Sequence, residues 1–485
     1  LHCRGRSGTR IEETEKRFNE IEDAIRTVIP ASEIETLIDN EGIPNSAINL
    51  SLSEGALISS ADGQILISLK EGHKPTERYL AGIRNVLAKK FPEFTFFALA
   101  PDISTQVLNF GLAAPIDIQI VGKVGSETES FALARSIADE LKKVPGAVDV
   151  HLAQVVDLPE LKLDVDRTEA NRAGLTQHDV ASDVLVSLSS SGIVAPNFWV
   201  DKRGITYLIA VQTPQRQVDS IEAVANTPIS TANERPQLLS NLATVSRTTG
   251  SVNVTHFNAL RTYDVQANVQ GADLGSVADA VDRIIEHFKA DKKIPPTTTV
   301  KVKGQVESMR SSFRGLGFGL IFAVVLVYLL MAVNFQSWLD PLVILMALPG
   351  AMSGIAWMLF LTQTTLSVPA LMGAMMCVGV ATANSILVVT FANDQRVHGR
   401  DSRQAALAAG ITRLRPVLMT ALAMIIGMLP MSLGLGEGGE QNAPLGRAVI
   451  GGLMMATFTT LFFVPLMYSL LRKQPVTHDK EVEEL

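Results

Sequence analysis

Apolar residues change their spacing several times along this 485-residue chain, and each change predicts a different element. Over residues 11–29, IEETEKRFNEIEDAIRTVI, they recur three and four positions apart, which predicts an amphipathic helix with Thr9 placed to cap it. Strands are predicted at 34–38 and 64–70, a helix at 75–90, and a strand at 94–100, FTFFALA. A second pass opens on APIDIQIVG at 114–122, then a helix near 126–143, strands at 147–153 and 159–166, and a helix near 176–188. After an insertion at 192–260, YDVQANVQG at 263–271, a helix at 276–290 and TTTVKVKG at 297–304 complete a comparable unit. The pattern predicts an α+β region of two split βαβ, ferredoxin-like sandwiches. The first covers 1–113 with its N-terminal strand truncated, and the second is divided into 114–191 and 261–310. The insertion is rich in Ser, Thr, Asn and Pro and lacks helical periodicity, which suits a docking module of strands and loops without a core of its own.

Beyond residue 310 the apolar positions become continuous. A helix needs about 20 apolar residues to cross about 30 Å of hydrocarbon. Stretches at 315–333, 341–361, 367–392, 417–435 and 446–471 meet that need, predicting an all-α bundle of five transmembrane helices within 311–472 and a tail at 473–485. Between the first two, NFQSWLDP offers Trp338 for a membrane interface and Asp340 with Pro341 as punctuation of the helix end. Small residues recur in LPGAMSG (348–354), MGAMMCVGVATANS (372–385) and IGGLMMA (450–456), allowing close helix packing.

Charge orients these spans. Residues 311–485 hold only ten Lys+Arg and nine Asp+Glu of the chain's 42 and 49. Arg396, Arg400, Arg403, Arg413 and Arg415 fall in the predicted loop 393–416, and Arg472 and Lys473 open the tail, so both belong to the cytoplasmic side. Glu437 and Glu440 mark the loop at 436–445 as external. Counting spans backward places 1–310 outside, in the periplasm of a multi-pass inner-membrane protein. A domain of that size requires an upstream span or signal to cross, so the sequence reads as a fragment. A net charge of −7 without a dense basic stripe argues against nucleic acid as partner, and Cys3 with Cys377 makes neither a disulfide framework nor a thiolate site.

Specific strings resemble the resistance-nodulation-division (RND) superfamily in its multidrug, acriflavine-resistance branch. They are GTRIEETE (8–15), VYLLMAVNFQSWLDPLVILMALPGA (327–351), GVATANSILVVTFAND (379–394), RLRPVLMTALAMIIGMLP (413–430) and AVIGGLMMATFTTLFFVPLMY (448–468). The likeness spans 8–472 and matches the second half of these internally duplicated pumps, without its leading span. It implies a homotrimer in the lipid bilayer that joins a missing N-terminal half, a periplasmic adaptor and an outer-membrane channel, and exports small amphipathic molecules by proton antiport. It implies no cofactor.

In that family, acidic residues of the first half face a Lys in the tenth span and an Arg and a Thr in the eleventh. Arg413 and Thr420 match the latter pair, whereas the Lys position, just before the matching Asn384, is Ala383. No predicted span here contains a carboxylate, so this chain cannot couple protons alone. An ammonium would hold neighbouring carboxylates ionised; Thr382 and Asn384 offer hydrogen bonds only. Arg413 then supplies the remaining positive partner, unless it is simply one of the cytoplasmic-loop arginines. The corresponding substrate path runs over 36–66 with Ile38, Ile43 and Leu66 and no aromatic residue, beside Phe94 and Phe96, which alternate with Thr95 and Phe97 and suit core packing as well as ligand contact. All 15 Met lie between Met309 and Met467, which argues against a copper or silver site in the outer domain. His73, His151, His178 and His256 lack ligand spacing and read as surface or structural, so no metal site is assigned, while a carboxylate or His site for zinc-like ions stays open. No nucleophile and base, phosphate loop or paired carboxylates point to an enzyme. The alternative reading is an RND-like scaffold or secretion accessory that transports nothing, since both the Lys and the aromatic trap are absent.

Overall fold

The computed structural model describes residues 1–43, 57–74, 76–99, 112–230, 236–434 and 439–472. The first sandwich comprises β1 (His2–Arg4), α1 (Ile11–Val28), β2 (Ile34–Glu41), β3 (Asp62–Leu69), α2 (Thr76–Lys90) and β4 (Thr95–Phe97). Its antiparallel sheet has the order β2-β3-β1-β4. The helical spacing of α1 buries Phe18, Ile21 and Ile25 against Ile83 and Leu87 of α2 and against Cys3 and Ile65 of the sheet. Each large side chain removed from water there contributes roughly 1.5–3 kcal/mol. Thr9 does not cap α1: Arg10 is the N-cap, with no side-chain bond, and the Thr9 hydroxyl donates to Arg6 O at 2.7 Å. The predicted strand at 94–100 is cut to three residues because Ala98 N leaves the sheet to donate to Asp149 Oδ2 at 3.1 Å.

The second sandwich begins with β5 (Ile116–Gly122), α3 (Glu127–Leu141) and β6 (Ala147–Leu152). The chain then leaves through β7 (Leu158–Val165), α4 (Gln177–Ser189), a hairpin of β8 (Asn197–Val200) and β9 (Thr206–Ile209), and β10 (Ala243–Gly250). It returns through β11 (Thr255–Phe257), β12 (Leu260–Val269), α5 (Leu274–Ala290) and β13 (Thr298–Lys303). The sheet order β6-β12-β5-β13 repeats that of the first sandwich, with β11 adding to β12 at one end. Alternation along β5 sends Ile116, Ile118 and Ile120 into a core with Leu133, Ile137, Val277 and Val281, leaving Asp117 and Gln119 on the other face.

The strand predicted at 159–166 does not join this sandwich. As β7 it pairs with β10 along its whole length, from Leu158 opposite Gly250 to Val165 opposite Ala243. Helix α4, closed by a capping box between Thr176 and Asp179, packs with this ribbon: Val180, Val184, Val224, Ile229, Leu239 and Leu242 form a separate small core. The predicted insertion 192–260 thus shares its core with Val180 and Val184 of the preceding segment, and its own apolar residues are scattered among short elements with no shared period. The β8–β9 hairpin leaves this core and exposes Phe198, Trp199, Tyr207 and Leu208.

Gly304, at φ +84°, joins β13 to the membrane part, and a β-carbon there would stand 2.7 Å from Pro115 O. Among the described residues, five helices are long and apolar enough to cross a membrane. They are α6 (Gln305–Phe335); α7 (Leu339–Leu345) continued by α8 (Ala347–Leu361); α9 (Val368–Val397); α10 (Ser402–Ser432); and α11 (Gly439–Phe458), which runs through a π-turn into α12 (Val464–Leu471). The predicted loop 393–416 is mostly helix, so Arg403, Arg413 and Arg415 ride on α10; its Ala-rich start, with Ala405, Ala406 and Ala409 buried, extends the helix past the apolar limit, and Pro416 is carried inside it. Glu437 and the tail 473–485 lie outside the described residues. The small-residue motifs are close-contact points. A β-carbon on Gly354 would collide with Gly451 O, and one on Gly373 would stand 2.7 Å from Leu445 O.

Candidate functional site

In the first sandwich, the register of β2 against β3 sets Ile38 opposite Leu66. Ile38 and Ile43 are exposed, and residues 44–56, the rest of the candidate path, lie outside the described residues. Leu66 lines a cavity of about 320 Å³ together with Ile67, Tyr79, Leu80, Ile83 and Leu99. Phe94 and Phe96 stack at 5.9 Å between centroids and pack against the core of this sandwich rather than lining that cavity.

Phe97 points the other way, into the junction between the sandwiches. Its ring is stacked between His2 at 4.3 Å and His151 at 3.8 Å. Burial pushes both imidazoles down, His151 to about 4, so both are neutral at pH 7. Beside them Asp149 accepts from Arg84 Nε and Nη2 at 2.8 and 2.7 Å, from Ala98 N at 3.1 Å and from Asn268 Nδ2 at 2.8 Å, joining α2 and the end of β4 to β6 and β12. On the polar face of the second sheet, burial and then the charge of Asp264 push Asp117 up to about 7.

In the membrane, Thr382 and Asn384 are buried on α9, and the Thr382 hydroxyl donates back to Val378 O at 2.7 Å. Ala383 lies with Thr382 on an apolar cavity of about 340 Å³ bounded by Val327, Met331, Leu348 and Ile386. On α10, the Arg413 guanidinium carbon sits 5.2 Å from the centroid of Phe391, and its Nε is buried without a hydrogen-bond partner among the described residues. Among the described residues, Thr420 is bonded only to carbonyls of its own helix, Pro416 at 3.2 Å and Val417 at 3.0 Å. Among the described residues no hydrogen bond joins Arg413 or Thr420 to Thr382 or Asn384.

A polar cluster that the sequence did not reveal stands at the cytoplasmic end. Asp340 is in the first turn of α7, because that helix begins at Leu339, and it is 1% exposed. A carboxylate therefore does sit within a spanning helix. Arg472 Nε and Nη2 donate to its two oxygens at 2.9 and 2.6 Å, and Nη2 also reaches Ser337 Oγ at 2.9 Å. Asn393 Nδ2 donates to Asp340 at 3.1 Å while accepting from Tyr468 OH at 2.5 Å. The signal was an acidic residue beside an apolar run with an arginine at the last helix end. The geometry ties the first cytoplasmic turn to the second, third and fifth spans.

The sequence profile of the AcrB/AcrD/AcrF family matches residues 2–472. The chain is similar to the cobalt-zinc-cadmium resistance protein CzcA of Cupriavidus metallidurans, 27% identical over 98% of this chain and 44% of that protein. It is also similar to the multidrug resistance protein MdtC of Photorhabdus laumondii, 26% identical over 73% of this chain and 34% of that protein. A crystal structure of a heavy metal efflux pump superposes with a TM-score of 0.81 at 24% identity, covering 98% of this chain and 47% of that one. The chain spans less than half the length of these relatives. With two like-ordered sandwiches, an inserted module and five apolar helices matched from end to end, the chain belongs to the AcrB/AcrD/AcrF family of RND permeases.

Proposed function

We propose that this chain is the second half of an inner-membrane RND permease that exports small amphipathic molecules in exchange for protons, and that it does not couple protons alone. The observation that carries the substrate class is the apolar lining of the first-sandwich cavity by Leu66, Leu80, Ile83 and Leu99, with Tyr79 supplying a ring. Arg413, with its unpartnered Nε on the half-buried face of α10, is the positive partner for carboxylates of the other half. Thr382, Asn384 and Thr420 lie along that route as hydrogen-bonding groups, and Ala383 marks where a second cation is missing. The exposed aromatic hairpin β8–β9 supports a homotrimer in which it packs on a neighbouring copy, and the inserted module supports docking to an adaptor and an outer-membrane channel.

A second reading, export of divalent transition-metal ions, is favoured by the likeness to a cobalt-zinc-cadmium resistance protein over nearly the whole chain. Proteoliposomes of the full-length permease under a pH gradient separate the readings. Proton-dependent movement of amphipathic dyes is the expected result. Movement of Zn²⁺, Co²⁺ or Cd²⁺ without dyes would replace the first reading by the second. Movement of neither would leave a non-transporting scaffold.

A further inference from the structure

Where the fourth and fifth spans meet, an apolar groove of about 450 Å³ runs along the bundle surface toward the cytoplasmic end. One wall is α10, which contributes Leu407, Ile411 and Leu414. The other is the last span, where Phe462 and Leu466 stand around the π-turn Thr459–Phe463. All five of these side chains are exposed. The floor between the walls is low because the α10 residue facing the π-turn is Gly410. A β-carbon there would stand 3.7 Å from Leu461 O and 3.9 Å from Pro465 Cγ, so a longer side chain would have to project into the groove.

Polar side chains gather at one end of the groove. Arg403 and Ser469 line that mouth, and Ser469 lies in the last turn of α12, just ahead of Arg472, which places the mouth at the cytoplasmic boundary of the spans. From Arg403 to Leu414 the helix rises about 16 Å, close to half of a hydrocarbon layer about 30 Å thick. The groove thus has the depth of one leaflet. At the same boundary Arg472 gives its guanidinium to Asp340, so that cation is already neutralised. The Arg403 side chain is exposed and makes no ion pair or hydrogen bond among the described residues, the nearby N-cap residue Asp401 included.

A groove of this kind is covered either by another helix or by lipid, and the geometry of α10 chooses between them. Arg413 and Thr420, which the proposed relay turns toward the other half of the permease, share one side of α10. At about 100° per residue, Arg403, Leu407, Gly410, Ile411 and Leu414 lie about 60–160° around the helix from Arg413. The groove therefore looks away from the other half, and in this choice of occupant the inference rests on the proposed placement of Arg413. A free guanidinium above apolar walls matches a phosphate that carries fatty chains, and anionic lipids give the cytoplasmic leaflet its negative surface potential. We infer that the groove holds one anionic phospholipid of the cytoplasmic leaflet, with its phosphate on Arg403 and a fatty chain lying over Gly410 between Ile411 and Phe462.

The test is native mass spectrometry of the delipidated full-length permease, titrated with phosphatidylglycerol or phosphatidylcholine of the same chains. The expected result is a first lipid per chain bound about fivefold more tightly as phosphatidylglycerol, the worth of one arginine near an anionic surface. Arg403→Gln should bring phosphatidylglycerol down to the level of phosphatidylcholine, whereas Arg415→Gln, on α10 but outside the groove, should keep the preference. Gly410→Leu fills the floor and should weaken both lipids; should it fail to fold, Ile411→Gln, at an exposed position, must do so. Glycerol phosphate, the same headgroup chemistry without chains, should not compete. The inference is overturned by equal binding of the two lipids, by a preference that survives Arg403→Gln, by unchanged binding in the folded groove variants, or by competition from glycerol phosphate. Density for a protein helix in the groove of the permease in lipid nanodiscs would overturn it equally. Lipid binding is read without transport, so failure of the groove and failure of the proposed relay appear in different measurements.

Discussion

Asp149 holds the two sandwiches together from a backbone at φ 55°, a left-handed conformation that costs a non-glycine residue about 1–2 kcal/mol. Four bonds to its carboxylate offset that cost, and Arg84, with its side chain only 18% exposed, has no other acidic partner among the described residues. Asp149→Ala leaves that guanidinium without a counter-charge, held only by the bond from Nη1 to Gln270 Oε1 at 2.7 Å, and should destabilise the outer region by about 3 kcal/mol, read as a lowered denaturation midpoint. The adjacent His151 gives the junction a pH dependence. Its folded pKa, pushed down to about 4, lies below its ordinary value of 6.5, so between these values the unfolded chain binds more protons than the folded one. The contribution of its neutral form is therefore complete above pH 6.5 and is lost as pH falls toward 4, by up to about 3 kcal/mol. Nearby His2 shifts in the same direction, while Arg4 adds to the depression and Asp149 opposes it. His151→Phe, which retains an aromatic ring against Phe97, should flatten the stability profile in that window; an unchanged slope in denaturation from pH 4 to 7 would refute the assignment. Sequence alone reads His151 as surface or structural and does not show this junction, because Asp149 meets partners 65 and 119 positions away.

At the scale of elements, periodicity located the helices and strands of the two sandwiches and the membrane spans, since burial of one face leaves a local record in the chain, but it located neither β1 nor the short strands β8 to β11. Partner choice left no such record. The strand at 158–165 alternates in a way that fits either sheet, and its partner, 243–250, lies at the far end of the inserted module. The π-turn at 459–463 and the passage of Pro416 through α10 are likewise set by packing between helices. The glycines of the membrane helices were legible as a group, and the structure turns them into contacts. Gly451 meets Met358 and the carbonyl of Gly354 where α8 crosses α11, and Gly452 meets Cys377 of α9. Gly451→Val forces α8 from α11 and should destabilise by about 1–3 kcal/mol, whereas Gly427→Val, whose β-carbon would meet nothing within 4 Å, should change the midpoint little. Equal effects in detergent would refute close contact as the reason for the small residues.

Across the whole molecule, the spans are fixed at the cytoplasmic end by Asp340 and Arg472, while the faces of α6 and α10 remain largely uncovered. Ala383 and Arg413 belong to this incompletely covered region. The cavity at Ala383 is lined by Val327, Met331 and Ile386, and it offers an ammonium no carboxylate among its lining residues. In the full permease, a Lys at this position gains a partner only if acidic side chains of the other half face it. Ala383→Lys then adds a cation beside those acids and lowers their pKa by about 1–3 units, because a nearby positive charge favours their ionised form. Lower pKa values require more acid for reprotonation, so the acid limb of the transport profile should move toward lower pH. Measuring efflux against pH in proteoliposomes, with Ala383→Met as a control for volume, distinguishes charge from bulk. A profile that moves with Lys and not with Met would place Ala383 beside the proton-carrying acids; identical profiles would remove it from the relay and leave Arg413 as the remaining candidate on this side.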